Sequence, residues 1–244
     1  MGAGPARRAR IQRTALALAA TGFGLACYFY LTLPDVRSLA TVNPTSTAFM
    51  ELRDAEAAAD ARTPRRQQHW VPYARISPHL KRAVLAAEDS AFWQHEGVDT
   101  QQIRVAIQDS LEHGTAPRGG STITQQLAKN LYLSPTRNPS RKLAELIIAR
   151  RLEATLSKTR IFEIYLNVIE WGDQVWGAEA AARTYFGVSA ASLTPDQAAL
   201  LAGAIVNPRV LNPAVPSARL RRRQQIILAR MGAVALVAEG RNSR

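Results

Sequence analysis

Residues 14–33, TALALAATGFGLACYFYLTL, run for 20 positions without a charge. At 1.5 Å of rise per residue, such a helix covers the roughly 30 Å hydrocarbon core of a bilayer. Arg7, Arg8, Arg10 and Arg13 precede the run and only Arg37 follows closely. That asymmetry predicts a cytoplasmic tail over 1–13, a membrane helix over 14–33 and the remainder of the chain outside. Tyr28, Phe29 and Tyr30 stand where an interfacial aromatic belt belongs. A cleaved signal peptide is the competing reading, with GLAC at 24–27 as a faint cleavage box.

After this segment the pattern is helical. Residues 34–69 hold Pro34, Pro44 and Pro64 around an AEAAADAR patch, and read as a stalk with the first surface elements. From residue 70 to 244, one all-α domain is expected. Ser77-Pro78 opens a helix as N-cap and first-turn proline. Ser121 is the expected N-cap of the next long helix after Gly119-Gly120. Apolar residues recur at 3–4 spacing through 138–158, 159–171, 177–186 and 193–206, while strand-like alternation is nearly absent. Residues 109–120, DSLEHGTAPRGG, read as a connector or as a flap beside a cleft.

The 31 Lys and Arg against 19 Asp and Glu give a net charge of +12, which suits polyanions or anionic lipid. No nucleic-acid motif accompanies the charge, so nucleic acid is not expected as a partner. A lone Cys27 leaves no internal disulfide and no cysteine-based zinc site. The basic RLRRRQQ stretch at 219–225 reads as a solvated or lipid-facing helix.

Three stretches can carry chemistry. EDSAFWQHEGVD at 88–99 packs four acids, a histidine and two aromatics into twelve positions behind an apolar run. In GGSTITQQLAKN at 119–130, Gln126 and Lys129 share a face opposite Ile123, Leu127 and Leu131. The free amides of that helix start, with Ser121 and a lysine, could hold an anion. In RKLAELIIARRLE at 141–153, Arg141 and Lys142 both reach Glu145, and the apolar residues around it predict a partly buried, cation-held carboxylate. Of four lysines in the chain, Lys129 and Lys142 fall in these stretches. Glu88 and Glu145 on separate helices form the kind of carboxylate pair that sugar transfer uses, and surrounding cations suit an anionic leaving group.

These stretches resemble the motifs of the peptidoglycan glycosyltransferases. EDSAFWQHEGVD is similar to that family's ED-x-x-F-x-x-H-x-G-x-D, with Glu88, Asp89, Phe92, His95, Gly97 and Asp99 in register. GGSTITQQLAKN, RKLAELIIARRLE, SKTRIFEIYLNVIEWG with GAEAAARTYFG, and LTPDQAALLAGAIVNP resemble the motifs that follow, in order, over about 70–215. The resemblance implies a lysozyme-related fold behind one membrane helix, held at the cell inner membrane with the domain on the periplasmic side. It implies lipid II and the growing glycan chain as substrates, with other cell-wall synthesis proteins as further partners. It also implies inverting transfer of the chain from undecaprenyl pyrophosphate to the 4-hydroxyl of lipid II. By motif position Glu88 is then the general base and Glu145 acts on the donor side, directly or through a divalent ion. Lys129, Arg137 and Lys142 become the basic residues around the pyrophosphate, with Ser121 and Gln126 as polar contacts. Asp89 and His95 brace the loop, Phe92 packs, and Glu96 and Asp99 are supports. No cofactor is required and no protein metal site is expected, although the pyrophosphate leaves room for Mg or Mn. A glycan hydrolase or a non-enzymatic lipid II-binding scaffold are the rival readings.

Overall fold

The computed structural model describes residues 5–114, 120–134 and 138–236. The chain divides after Asp35 into two compact units. The first is helix α1 (Pro5–Thr32), whose side chains are exposed from residue 9 to 25. Its 28 residues give about 42 Å of helix. Among the described residues, it is the one helix long and apolar enough to cross a membrane.

The second unit begins at Val36. It runs through α2 (Ala48–Ala59), β1 (Gln67–Gln68), α3 (Pro78–Glu88), α4 (Thr100–His113), α5 (Ile123–Tyr132), α6 (Pro139–Thr155) and α7 (Lys158–Val168). After these come β2 (Glu170–Gly172), β3 (Val175–Trp176), α8 (Ala178–Phe186), α9 (Pro195–Ala204) and α10 (Ala218–Met231). Helix α3 packs on α9 and α10, while α5 packs on α6 and α7 and carries α2 on another side.

The stretch that reads as stalk contributes to the core instead. Val36, Leu39, Met50 and Ala57 are buried, and Thr47 caps α2 by accepting from the Met50 amide at 3.1 Å. Prolines and short polar runs gave it a linker composition, but four apolar side chains are enough to dock it. The small sheet, ordered β1-β3-β2, was also invisible to periodicity. Its strands are two or three residues long, too short to show alternation. β1 runs parallel to β3, and β2 antiparallel to it through an irregular register. At the exit of β3, Gly177 has φ +81°, and a Cβ there would lie 2.6 Å from the Asn167 carbonyl oxygen. Only glycine allows that approach.

The connector read over 109–120 starts later than expected. Helix α4 continues through His113, supported by a Gln108–Glu112 bond of 3.1 Å. Gly114, at φ +63°, follows it. Residues 115–119 lie outside the described residues.

Candidate active site

Ser77 Oγ accepts from the His79 amide at 3.2 Å and donates to the Leu193 carbonyl at 3.0 Å. This starts α3 and ties it to the approach of α9. Leu80, Ala83, Val84 and Leu85 are buried, so the helix is held from its core face and ends on Glu88.

Glu88 is half-buried. Its Oε2 accepts from Gln126 Nε2 of α5 at 2.8 Å. Desolvation pushes its pKa up, against the Gln126 hydrogen bond and the charges of Arg223 and Lys129, with Asp89 adding to the rise.

The residues after Glu88 are stitched to the start of α5. Asp89 is 4% exposed and accepts from His95 Nε2 at 3.0 Å and from the Ile123 amide at 2.9 Å. Nδ1 of His95 accepts from the Gly97 amide at 3.2 Å, so the ring hydrogen sits on Nε2 and points at Asp89. Gly97, at φ +83°, offers its carbonyl to Thr122 Oγ1 at 2.7 Å and to Gln125 Nε2 at 3.2 Å. Phe92 is fully buried against Trp93 and Phe162, with Lys158 Nζ 4.4 Å above its ring. Asp99 is half-buried. Glu96 is not a support: its side chain is 85% exposed and pairs with exposed Arg150 at 3.3 Å, an interaction worth little.

Helix α5 is capped by Thr122 rather than Ser121, since Thr122 Oγ1 accepts from the Gln125 amide at 3.2 Å. The anion site expected at this helix start is also corrected. Asp89 holds the Ile123 amide and Thr122 the Gln125 amide, so these donors are spent inside the protein. Ser121, released from capping, accepts from Lys142 Nζ at 3.2 Å.

Glu145 on α6 is 3% exposed. Lys142 Nζ reaches it at 2.5 Å and Arg141 Nη1 at 3.5 Å. Lys142 also donates to Gln125 Oε1 at 3.2 Å. Lys129 lies between the two carboxylates electrostatically. Burial lowers its pKa and Arg141 and Lys142 lower it further, while Glu145 and Glu88 oppose them. No ion pair within 4.0 Å is formed by Lys129 among the described residues.

A continuous chain therefore joins the two acids. Gln126 Nε2 donates to Glu88 and, at 3.3 Å, to the Ser121 carbonyl. Ser121 Oγ then meets Lys142, which meets Glu145. The structure brings together Glu88, Ser121, Gln126, Lys129, Lys142 and Glu145, with Asp89, Phe92 and His95 behind them. Arg137 lies outside the described residues. Chemically, the site offers one carboxyl that favours its proton more than usual and one paired with two cations.

Two participants were not singled out from sequence. Arg223 of α10 donates Nε to the Gly203 carbonyl at 3.0 Å, and its charge reaches Glu88. It lies in RLRRRQQ, where only part of the helix is solvated. Leu220, Ile227 and Met231 are buried, and Arg223 falls on that 3–4 stripe, which was the available signal. Tyr165 of α7 donates its hydroxyl to Gln126 Oε1 at 2.9 Å. It read as one more apolar position beside Ile161 and Phe162, and nothing in the spacing reports where a hydroxyl points.

A family profile described as Transglycosylase matches residues 31–232. A biosynthetic peptidoglycan transglycosylase of Dechloromonas aromatica (strain RCB) is 53% identical over 192 residues, 79% of this chain and 83% of the relative. Proteins of the same name from Nitrosospira multiformis and Laribacter hongkongensis are 48% and 50% identical, over 80% of this chain and 84% and 85% of theirs.

Proposed function

The chain belongs to the transglycosylase family, and from that premise we propose that it polymerises peptidoglycan glycan strands with Glu88 as general base. As a peptidoglycan glycosyltransferase it acts on lipid II. The 4-hydroxyl of the incoming lipid II loses its proton to Glu88 and attacks the anomeric carbon of the growing chain. The new glycosidic C–O bond forms as the bond to undecaprenyl pyrophosphate breaks, with inversion, and the pyrophosphate leaves as an anion. Lys142, Arg141 and Lys129 meet the charge that develops there, with Arg137 added by motif position. Glu145 holds Lys142 and Arg141 in register. Ser121 and Gln126 supply polar contacts between the two halves.

The observation that carries this reading is the hydrogen-bonded chain from Glu88 through Gln126, Ser121 and Lys142 to Glu145. It sets a carboxyl raised in pKa at one end and a cation cluster at the other. A base works best with a pKa near the operating pH, and burial moves Glu88 in that direction. The donor set does not suit a protein-held divalent ion. Glu145 is already engaged by two cations, and no cluster of three or more His, Cys, Asp or Glu occurs among the described residues.

Helix α1 is compatible with anchoring the enzyme in the membrane where a polyprenyl substrate resides. The arginine-rich flank supports a cytoplasmic tail and a periplasmic catalytic unit at the inner membrane. Other cell-wall synthesis proteins are natural partners for an enzyme held there.

The test is purified full-length protein with labelled lipid II, products separated by size. Polymer from wild type, reduced at least 100-fold in Glu88→Gln, is the expected result. Cleavage of preformed glycan without polymer would mark a hydrolase instead, and lipid II binding without either product a scaffold.

A further inference from the structure

We propose that Tyr165 is a positioning residue for this reaction: its buried hydroxyl anchors Oε1 of the Gln126 amide and so holds the NH2 on the base. The inference rests on the assignment of Glu88 above. A glutamine amide has two faces of nearly equal shape and opposite polarity, so its orientation is set by its partners. Here the two sides are sorted. Nε2 meets two acceptors, Glu88 Oε2 at 2.8 Å and the Ser121 carbonyl at 3.3 Å. Oε1 meets one donor, the Tyr165 hydroxyl at 2.9 Å. Tyr165 is fully buried, 0% exposed, and stacks on Phe162, which in turn meets Tyr73, Phe92 and Trp93. Burial and the nearby Glu88 and Asp89 charges hold its hydroxyl protonated, so it remains a donor. Without that hydroxyl, Oε1 is left without its donor inside the protein, and the amide loses the contact that holds it in place against Glu88. A looser amide weakens the Nε2 bond to Glu88, which opposes the rise in its pKa, and so disfavours the carboxylate that must accept the substrate proton.

The groups that set Glu88 come from three elements. Gln126 and Lys129 lie on α5, Arg223 on α10 and Tyr165 on α7, with Asp89 beside it in the chain. Of these, Tyr165 acts only through Gln126, and this makes the idea separable from general electrostatics.

Tyr165→Phe keeps the ring and removes one oxygen. Polymerisation is measured against pH, with rates normalised to folded protein by circular dichroism. The expected result is a kcat about tenfold lower at neutral pH, a KM for lipid II within about twofold of wild type, and an acid limb displaced upward by about one pH unit. Activity recovers at alkaline pH, because the base again loses its proton. In a Gln126→Ala background the same change should add nothing, since the residue it works through is gone. A loss of equal size at every pH, a raised KM with unchanged kcat, an unchanged profile, or an additive loss in the double variant would each overturn the proposal. If Glu88→Gln keeps polymerising, the base assignment itself falls, an outcome distinct from all of these.

Discussion

Glu88 and Glu145 carry the same carboxyl under different conditions. Glu145 has Lys142 and Arg141 within ion-pair distance, whereas Glu88 has a neutral amide, and its compensating charges act from further away. The spacing of Arg141, Lys142 and Glu145 along one helix made the first arrangement readable from sequence. The second depends on α5, α7 and α10 meeting the end of α3, and no local pattern reports it. A consequence for stability follows. The folded state holds the Glu88 proton more tightly than the unfolded chain does, because burial raises the pKa. That contribution is complete below the unfolded pKa and lost as pH rises through the folded one. Glu88→Gln stays neutral throughout, so it should be more stable than wild type at neutral pH, with the difference shrinking as pH falls towards 4. Thermal denaturation at several pH values checks this; a pH-independent difference would count against it.

Among the elements, the helices were legible because their caps and apolar stripes are local. Ser77-Pro78 starts α3 as expected. At α5 the start moved one residue, to Thr122, since Asp89 reaches across from another element to take the Ile123 amide. Helix α2 is the larger departure. Arg53 ties it to Glu170 of β2 at 3.0 Å, with side chains 16% and 6% exposed. Glu170 still has a raised pKa, because desolvation outweighs Arg53. Removing the cation leaves a buried carboxylate without its ion-pair partner, so Arg53→Ala should cost about 3–5 kcal/mol at neutral pH. The sign with pH is fixed. Protonated Glu170 needs no partner, so the variant should regain stability relative to wild type as pH falls through the raised pKa. Urea denaturation at pH 7 and pH 5 measures both; an equal loss at the two pH values would contradict the mechanism.

For the whole molecule, composition and the uncharged run at 14–33 were enough to set an apolar helix apart from a basic, helical unit. They did not find the boundary of that unit. The expected break near residue 70 would discard Met50 and strand β1, whereas the compact unit starts at Val36. A fragment beginning at residue 36 should therefore unfold in one cooperative transition. One beginning at residue 70 should be less stable by several kcal/mol or fail to fold, from the lost Met50 burial and the unpaired Glu170 together. Calorimetry of the two fragments distinguishes them; equal melting temperatures would refute the longer boundary.

The chain of side chains between the two acids also gives the cleft a direction. On the proposed assignment, each transfer leaves the product's pyrophosphate on the side where the new unit entered, near Glu88. The cations paired with Glu145 lie at the opposite end. On that same proposed assignment, a pyrophosphate still bonded to the strand is attracted towards those cations, a bias for forward stepping of the strand over its return.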